Sequence, residues 1–165
     1  MHILATSAAT LEEMATPVDL RQAAAPMVVL SFTDSDLSGL AAAWAAERDV
    51  LPDLRLAPLR ALRHPMSVDL WLDRTGAGAR VIMLRLLGGL DWWRYGAERL
   101  AEMARARGIA LAVLPGEDRD DPALFAMGTI PAGEQASLLA YWRAGGPANL
   151  RSLLRRMAGY AGRNL

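Results

Sequence analysis

The chain has 165 residues, with 18 acidic and 18 basic side chains and no net charge. All 18 basic residues are arginine, cysteine is absent, and the two histidines are His2 and His64. These counts exclude a Schiff-base amine, a P-loop lysine, a thiol nucleophile, a disulfide and a Cys-ligated metal centre. The length fits one domain, and a 53% hydrophobic content can build a core. Zero net charge gives no general attraction to nucleic acid or anionic membrane. There is no basic n-region with an apolar h-region at the start, and no run nears the ~18 apolar residues of a membrane span. The expectation is a cytoplasmic protein without nucleic-acid or membrane partners.

Five apolar runs read as strands: His2–Ala5, Met27–Phe32, Leu54–Leu59, Arg80–Leu87 and Ile109–Leu114. Their few polar interruptions suit strands buried on both faces. The segment from Thr6 to Pro26 reads as a loop with a short helix near Leu11–Met14. Leu37, Leu40, Ala41 and Trp44 follow helical spacing, with Asp34 or Ser35 as N-cap. Ser67 is the expected cap of a helix over Val68–Arg74. Asp91 is the expected cap of one through Arg107, with core stripe Trp93, Ala97, Leu100 and Ala104 and with Gly108 ending it. Helical stretches follow at Asp121–Met127, Glu134–Arg143 and Ala148–Met157, the last two separated by Gly145–Gly146–Pro147.

Strands alternating with helices predict an α/β domain, a flavodoxin-like or Rossmann-like three-layer arrangement. Its sheet is expected to be mostly parallel, with four or five strands. The expected division is an α/β domain over 1–120 and a helical extension packed on it over 121–165. Charge is uneven along the chain. Glu117, Asp118, Asp120 and Asp121 surround Arg119, whereas five arginines and no acids follow Glu134. These are two solvated faces of opposite sign, or docking surfaces for something larger.

Ligands of such sheets gather outside the carboxyl ends of the strands, near the reversal of strand order. The loops expected there run from Ser31 to Asp36, Arg60 to Ser67, Gly88 to Gly96 and Pro115 to Asp118. The candidate ligand-binding set on them is Asp34, Asp36, Arg63, His64, Gly88, Gly89, Trp92 and Tyr95. Asp34 and Asp36 form a small acidic pocket for a hard cation, or serve the helix start. His64 ligates a metal or moves protons, or its ring simply bonds the neighbouring loop. Gly88–Gly89 lets a ligand approach the backbone, but neither G-x-G-x-x-G nor G-x-x-x-x-G-K-[ST] is present. Trp92 lies off the core stripe, where it would stack on a flat ligand or a partner domain. A triad of Ser31 or Ser67 with His64 lacks the G-x-S-x-G elbow. Spacing alone gives an α/β domain with a binding rim and no self-sufficient catalytic constellation.

The order of the loops carries more than any one of them. Val28–Leu37, Leu62–Asp69, Arg85–Gly89, Trp93–Gly96 and Gly108–Asp118 form a series, and the likeness they carry extends from about Met1 to Gly159. That series resembles the N-terminal region of the large subunit of aerobic cobaltochelatase (CobN type), a relative of the magnesium chelatase H subunit. The resemblance implies a ligase of cobalamin biosynthesis that inserts cobalt into hydrogenobyrinic acid a,c-diamide at the expense of ATP. It implies that the large subunit binds the tetrapyrrole and the metal, while separate AAA+-type subunits hydrolyse ATP. The partners expected for this chain are the rest of the large subunit, those ATPase subunits and a tetrapyrrole. Cobalt and ATP belong to the whole complex, and no cofactor is expected in this fragment, which would be inactive alone. The resemblance transfers no metal or tetrapyrrole ligand onto these residues.

Overall fold

The structure is a computed structural model that describes residues 16–165. The run His2–Ala5 and the helix expected near Leu11–Met14 lie outside the described residues. Four strands form one parallel sheet: β1 Met27–Ser31, β2 Leu54–Pro58, β3 Val81–Leu86 and β4 Ala110–Pro115. Each begins and ends within one residue of its apolar run. Their spatial order is β2-β1-β3-β4, so the chain steps to one side after β1 and then returns past it. This is the doubly wound order, with its reversal between β1 and β3.

Six helices complete the described chain: α1 Asp34–Ala46, α2 Pro65–Arg74, α3 Arg94–Arg107, α4 Pro122–Met127, α5 Ala132–Ala144 and α6 Gly146–Tyr160. Alternate strand residues feed two cores. Val28, Leu30, Ile82, Leu84, Leu111 and Val113 face α2 and α3. Met27, Val29, Val81, Met83, Ala112 and Leu114 face α1, α5 and α6. The result is three layers, helices on both faces of a parallel sheet. Burial on both sides explains why the strands read as continuous apolar runs rather than as alternating ones.

Several helix starts differ from expectation. Thr33, not Asp34 or Ser35, occupies the N-cap of α1, and makes no side-chain capping bond. His64 caps α2 through Nδ1, with Pro65 as the first helical residue. Ser67 is buried inside that helix, where its hydroxyl accepts from the Val18 amide at 2.7 Å. A 3-10 turn at Leu90–Trp92 delays α3 to Arg94. Asp91 therefore pairs with Arg94 instead of capping the helix. The α3 terminus agrees with expectation, because Gly108 takes a left-handed conformation with φ +69°. Gly145 alone separates α5 from α6, since Gly146 and Pro147 open the next helix.

Both outer strands are bordered by side-chain bonds. Along β4, the Leu111 amide donates to Thr129 Oγ1 at 2.7 Å and the Val113 amide to Gln135 Oε1 at 2.8 Å. Gln135 is fully buried, and its Nε2 also donates to the carbonyls of Phe125 and Ile130. Along β2, Gln22 Nε2 donates to the Leu56 carbonyl, and Arg55 Nε donates to that of Ala23.

Candidate functional site

The strand-order reversal brings the ends of β1 and β3 side by side, where an open sheet of this kind offers a crevice. Here that crevice is filled. Ser31, the last residue of β1, donates from its hydroxyl to Asp36 Oδ2 at 2.9 Å. Arg85, one residue before the end of β3, meets Asp36 at 3.3 Å. Both charged side chains are largely buried, at 14% and 16% exposure. Arg85 also lies over the Trp142 ring of α5, 5.0 Å from its centroid, and donates from Nε to the Pro115 carbonyl. Asp36 is thus a partner of the β3 arginine. Asp34 stands exposed in the first turn of α1, where the helix dipole favours a carboxylate.

The remaining candidates form the rim beside this plug. Gly88 and Gly89 both have positive φ, +83° and +82°. At Gly88 a side chain is excluded twice, by the backbone conformation and because a Cβ would meet Trp92 at 2.5 Å. The Gly88 amide donates to Glu117 Oε1 at 2.6 Å, which ties the β3 loop to the β4 loop. Trp92 lies against that glycine with 57% of its surface exposed. The Arg63 guanidinium sits over its indole, 5.4 Å from the centroid. Trp93 turns inward and donates from Nε1 to the Leu62 carbonyl at 2.8 Å, fixing the rim to the loop that follows β2. A small open cavity of about 260 Å³ lies beside Val18, Pro58, Arg60 and Ala61.

His64 Nδ1 accepts from the Met66 amide at 3.1 Å, so only Nε2 is left for another partner. Among the described residues no three His, Asp or Glu side chains come together as a metal-binding group. Tyr95 donates from its hydroxyl to Asp69 at 2.9 Å. That hydrogen bond holds the phenol above the usual tyrosine range, because ionisation would place two negative oxygens together. The candidates therefore divide. Arg63, Gly88 and Trp92 share one patch, Asp36 belongs to the plug, and Asp34 stands apart from both.

Sequence reasoning missed Arg85 and Asp69 as site residues, and it placed Ser31 and Glu117 on the rim loops without their partners Asp36 and Gly88. Arg85 carried a readable signal, as a single charge inside an apolar strand; such a charge needs a buried partner. Asp69 carried none, since its meeting with Tyr95 depends on how α2 and α3 pack. The acidic knot and the late arginines meet within this chain. Arg143 contacts Asp120 at 3.1 Å and the Glu117 carbonyl at 2.9 Å, while Arg155 reaches Glu47 at 2.7 Å.

No family model matches the chain. It is 40% identical over 149 residues to the aerobic cobaltochelatase subunit CobN of a Sinorhizobium species, which covers 90% of this chain and 12% of that protein. It is also 40% identical over 158 residues to the CobN subunit of Pseudomonas aeruginosa, covering 96% of this chain and 13% of the relative. The catalytic subunit of cobaltochelatase from Mycobacterium tuberculosis superposes with a TM-score of 0.61 at 26% identity, over 77% of this chain and 10% of that one. The chain spans about an eighth of the length of the curated relatives it matches. The sequence matches extend over nearly all of it and the fold match over about three quarters, and the chain belongs to the family of CobN cobaltochelatase subunits.

Proposed function

We propose that this chain acts as the N-terminal, non-catalytic domain of a CobN-type large subunit, in the enzyme that inserts cobalt into hydrogenobyrinic acid a,c-diamide. One observation carries the reading: 40% identity to CobN maintained over 90–96% of the chain. The geometry favours a supporting role within that enzyme. The strand-reversal crevice is occupied by Asp36 and Arg85, and His64 offers a single free ring nitrogen, short of the three or more ligands a metal site needs. Cobalt and the corrinoid are substrates of the whole assembly. ATP hydrolysis belongs to AAA+-type partner subunits, in keeping with a sequence that holds no phosphate-binding glycine motif. A cytoplasmic location goes with this role.

Reconstitution tests the proposal. Purified large subunit lacking the matched region is combined with the ATPase subunits, cobalt, ATP and the corrinoid, with and without this chain. Cobalt insertion is followed by the change in the corrinoid spectrum. Restoration on adding the chain, with no turnover by the chain alone, is expected. Equal turnover without it would refute the role. A docking role without substrate contact has its own measure. Trp92 is the exposed tryptophan of the rim, and fluorescence unquenched by the corrinoid would assign the rim to protein contact.

A further inference from the structure

Eight large apolar side chains are exposed among the described residues, and five of them gather on one face: Met66, Leu70, Leu87, Trp92 and Tyr95. Links through the neighbouring Asp69 and Gly88 join them. Met66 and Leu70 are one helical turn apart on α2, with Asp69 between them bonded to the Tyr95 hydroxyl. Trp92 ends the 3-10 turn just before the helix that carries Tyr95 and rests against Gly88, the neighbour of Leu87. A cluster of this kind on a soluble domain marks a contact surface. Its Trp, Tyr and Met are residue types enriched at the centres of interfaces.

The charges at its border are one-sided in their pairing. Asp69 is engaged by Tyr95 and Arg99, and Asp91 by Arg94. Arg60 and Arg63 form no ion pair among the described residues, and the Arg63 guanidinium lies over the Trp92 ring, 5.4 Å from its centroid. The face therefore suits an apolar surface that carries a carboxylate. In the curated relatives the region matched here is about an eighth of the subunit, so seven-eighths of the chain is available to supply one.

We infer that the Met66–Leu70–Leu87–Trp92–Tyr95 face is the surface on which this domain docks against the remainder of a CobN-type large subunit, with Arg63 receiving an acidic side chain at its edge. This rests on the proposed membership of that subunit. The other sheet-side helices are already covered in this chain: α1 packs under α6, fastened by Glu47 to Arg155. Among the described residues, the α2 and α3-start face is the place where large exposed apolar side chains gather.

The test mixes the 165-residue chain with the large subunit of the same genome, trimmed of the region this chain matches, and measures association by calorimetry. Leu70→Glu and Trp92→Glu are each expected to weaken binding at least tenfold, and Arg63→Glu to weaken it while removing most of its salt dependence. Arg105→Glu, at the far end of α3, is the control and is expected to bind like the parent. Circular dichroism and melting establish that each variant folds; Leu70, exposed on a regular helix, keeps the test valid if Trp92→Glu loosens the Gly88 loop. Binding by the parent chain that both variants retain would overturn the docking face and leave subunit membership standing. No binding by the parent chain would overturn both. A dimer that dissociates in Leu70→Glu would assign the face to a second copy, and corrinoid binding lost in Trp92→Glu without any trimmed subunit present would assign it to substrate; either result overturns the inference.

Discussion

Asp36 and Arg85 stand 49 positions apart in sequence, yet they form the most buried ion pair among the described residues. Removing one partner strands the other in a site with little water. Asp36→Ala is expected to lower unfolding free energy by about 2 kcal/mol in urea titration, less than the 3–5 of a fully buried pair because both groups keep some solvent. Replacing both, as Asp36→Ala with Arg85→Met, is expected to recover most of that loss. Tyr95 gives a second residue-level prediction. Its pKa is raised mainly by the hydrogen bond to Asp69, so the bond stabilises the fold below the ordinary tyrosine range and is lost as pH rises through the raised value. Asp69→Asn is expected to bring the Tyr95 ionisation to lower pH, read by absorbance of the phenolate. Loops were legible as a rim from Gly88, Gly89, Trp92 and His64. The pairing of Asp36 with Arg85 was not, because it is created by the register of β1 on β3, where Ser31 falls beside Arg85.

Between elements, the same distinction holds. Strands were readable to within one residue, since burial on both faces leaves a run such as Val81–Leu84 without alternatives. Helix starts were not, because a cap depends on the path of the incoming chain as well as on residue type. Ser67 has the right chemistry for a cap, but the segment at Val18 draws it inward and leaves the task to His64. The α1–α6 contact rests partly on Glu47, whose carboxyl lies below the usual range chiefly through its hydrogen bond with Arg155, with the charges of Arg155 and Arg151 adding to it. A depressed carboxyl contributes stability above its unfolded pKa, and this is lost as pH falls through the folded value. Thermal melts from pH 7 to pH 3 are thus expected to fall more steeply in the parent chain than in Glu47→Gln. At the end of α3, Gly108→Ala forces a side chain into left-handed backbone and is expected to cost about 1 kcal/mol by urea titration.

For the molecule as a whole, two cores on opposite faces of one sheet explain how a chain without disulfide or described metal group keeps its shape. Gln135 is the polar residue at which several parts of that shape meet, joining β4, the end of α4 and the start of α5 by three hydrogen bonds. Gln135→Leu leaves the Val113 amide and two carbonyls without it and is expected to lose about 3 kcal/mol, at about 1–3 per stranded buried group with some relief from local repacking. Its second effect concerns association. A parallel sheet with a bare outer strand is a template on which another chain can add a strand and start a fibril. In this protein Thr129 and Gln135 occupy the outward groups of β4, and Gln22 and Arg55 bridge the outer side of β2 to the segment before β1. The sheet is thereby guarded against growth by strand addition on both sides. Gln135→Leu should then shorten the lag of thioflavin-detected aggregation as well as lower stability, whereas the equally destabilising core change Leu100→Ala should leave β4 guarded until the whole domain melts.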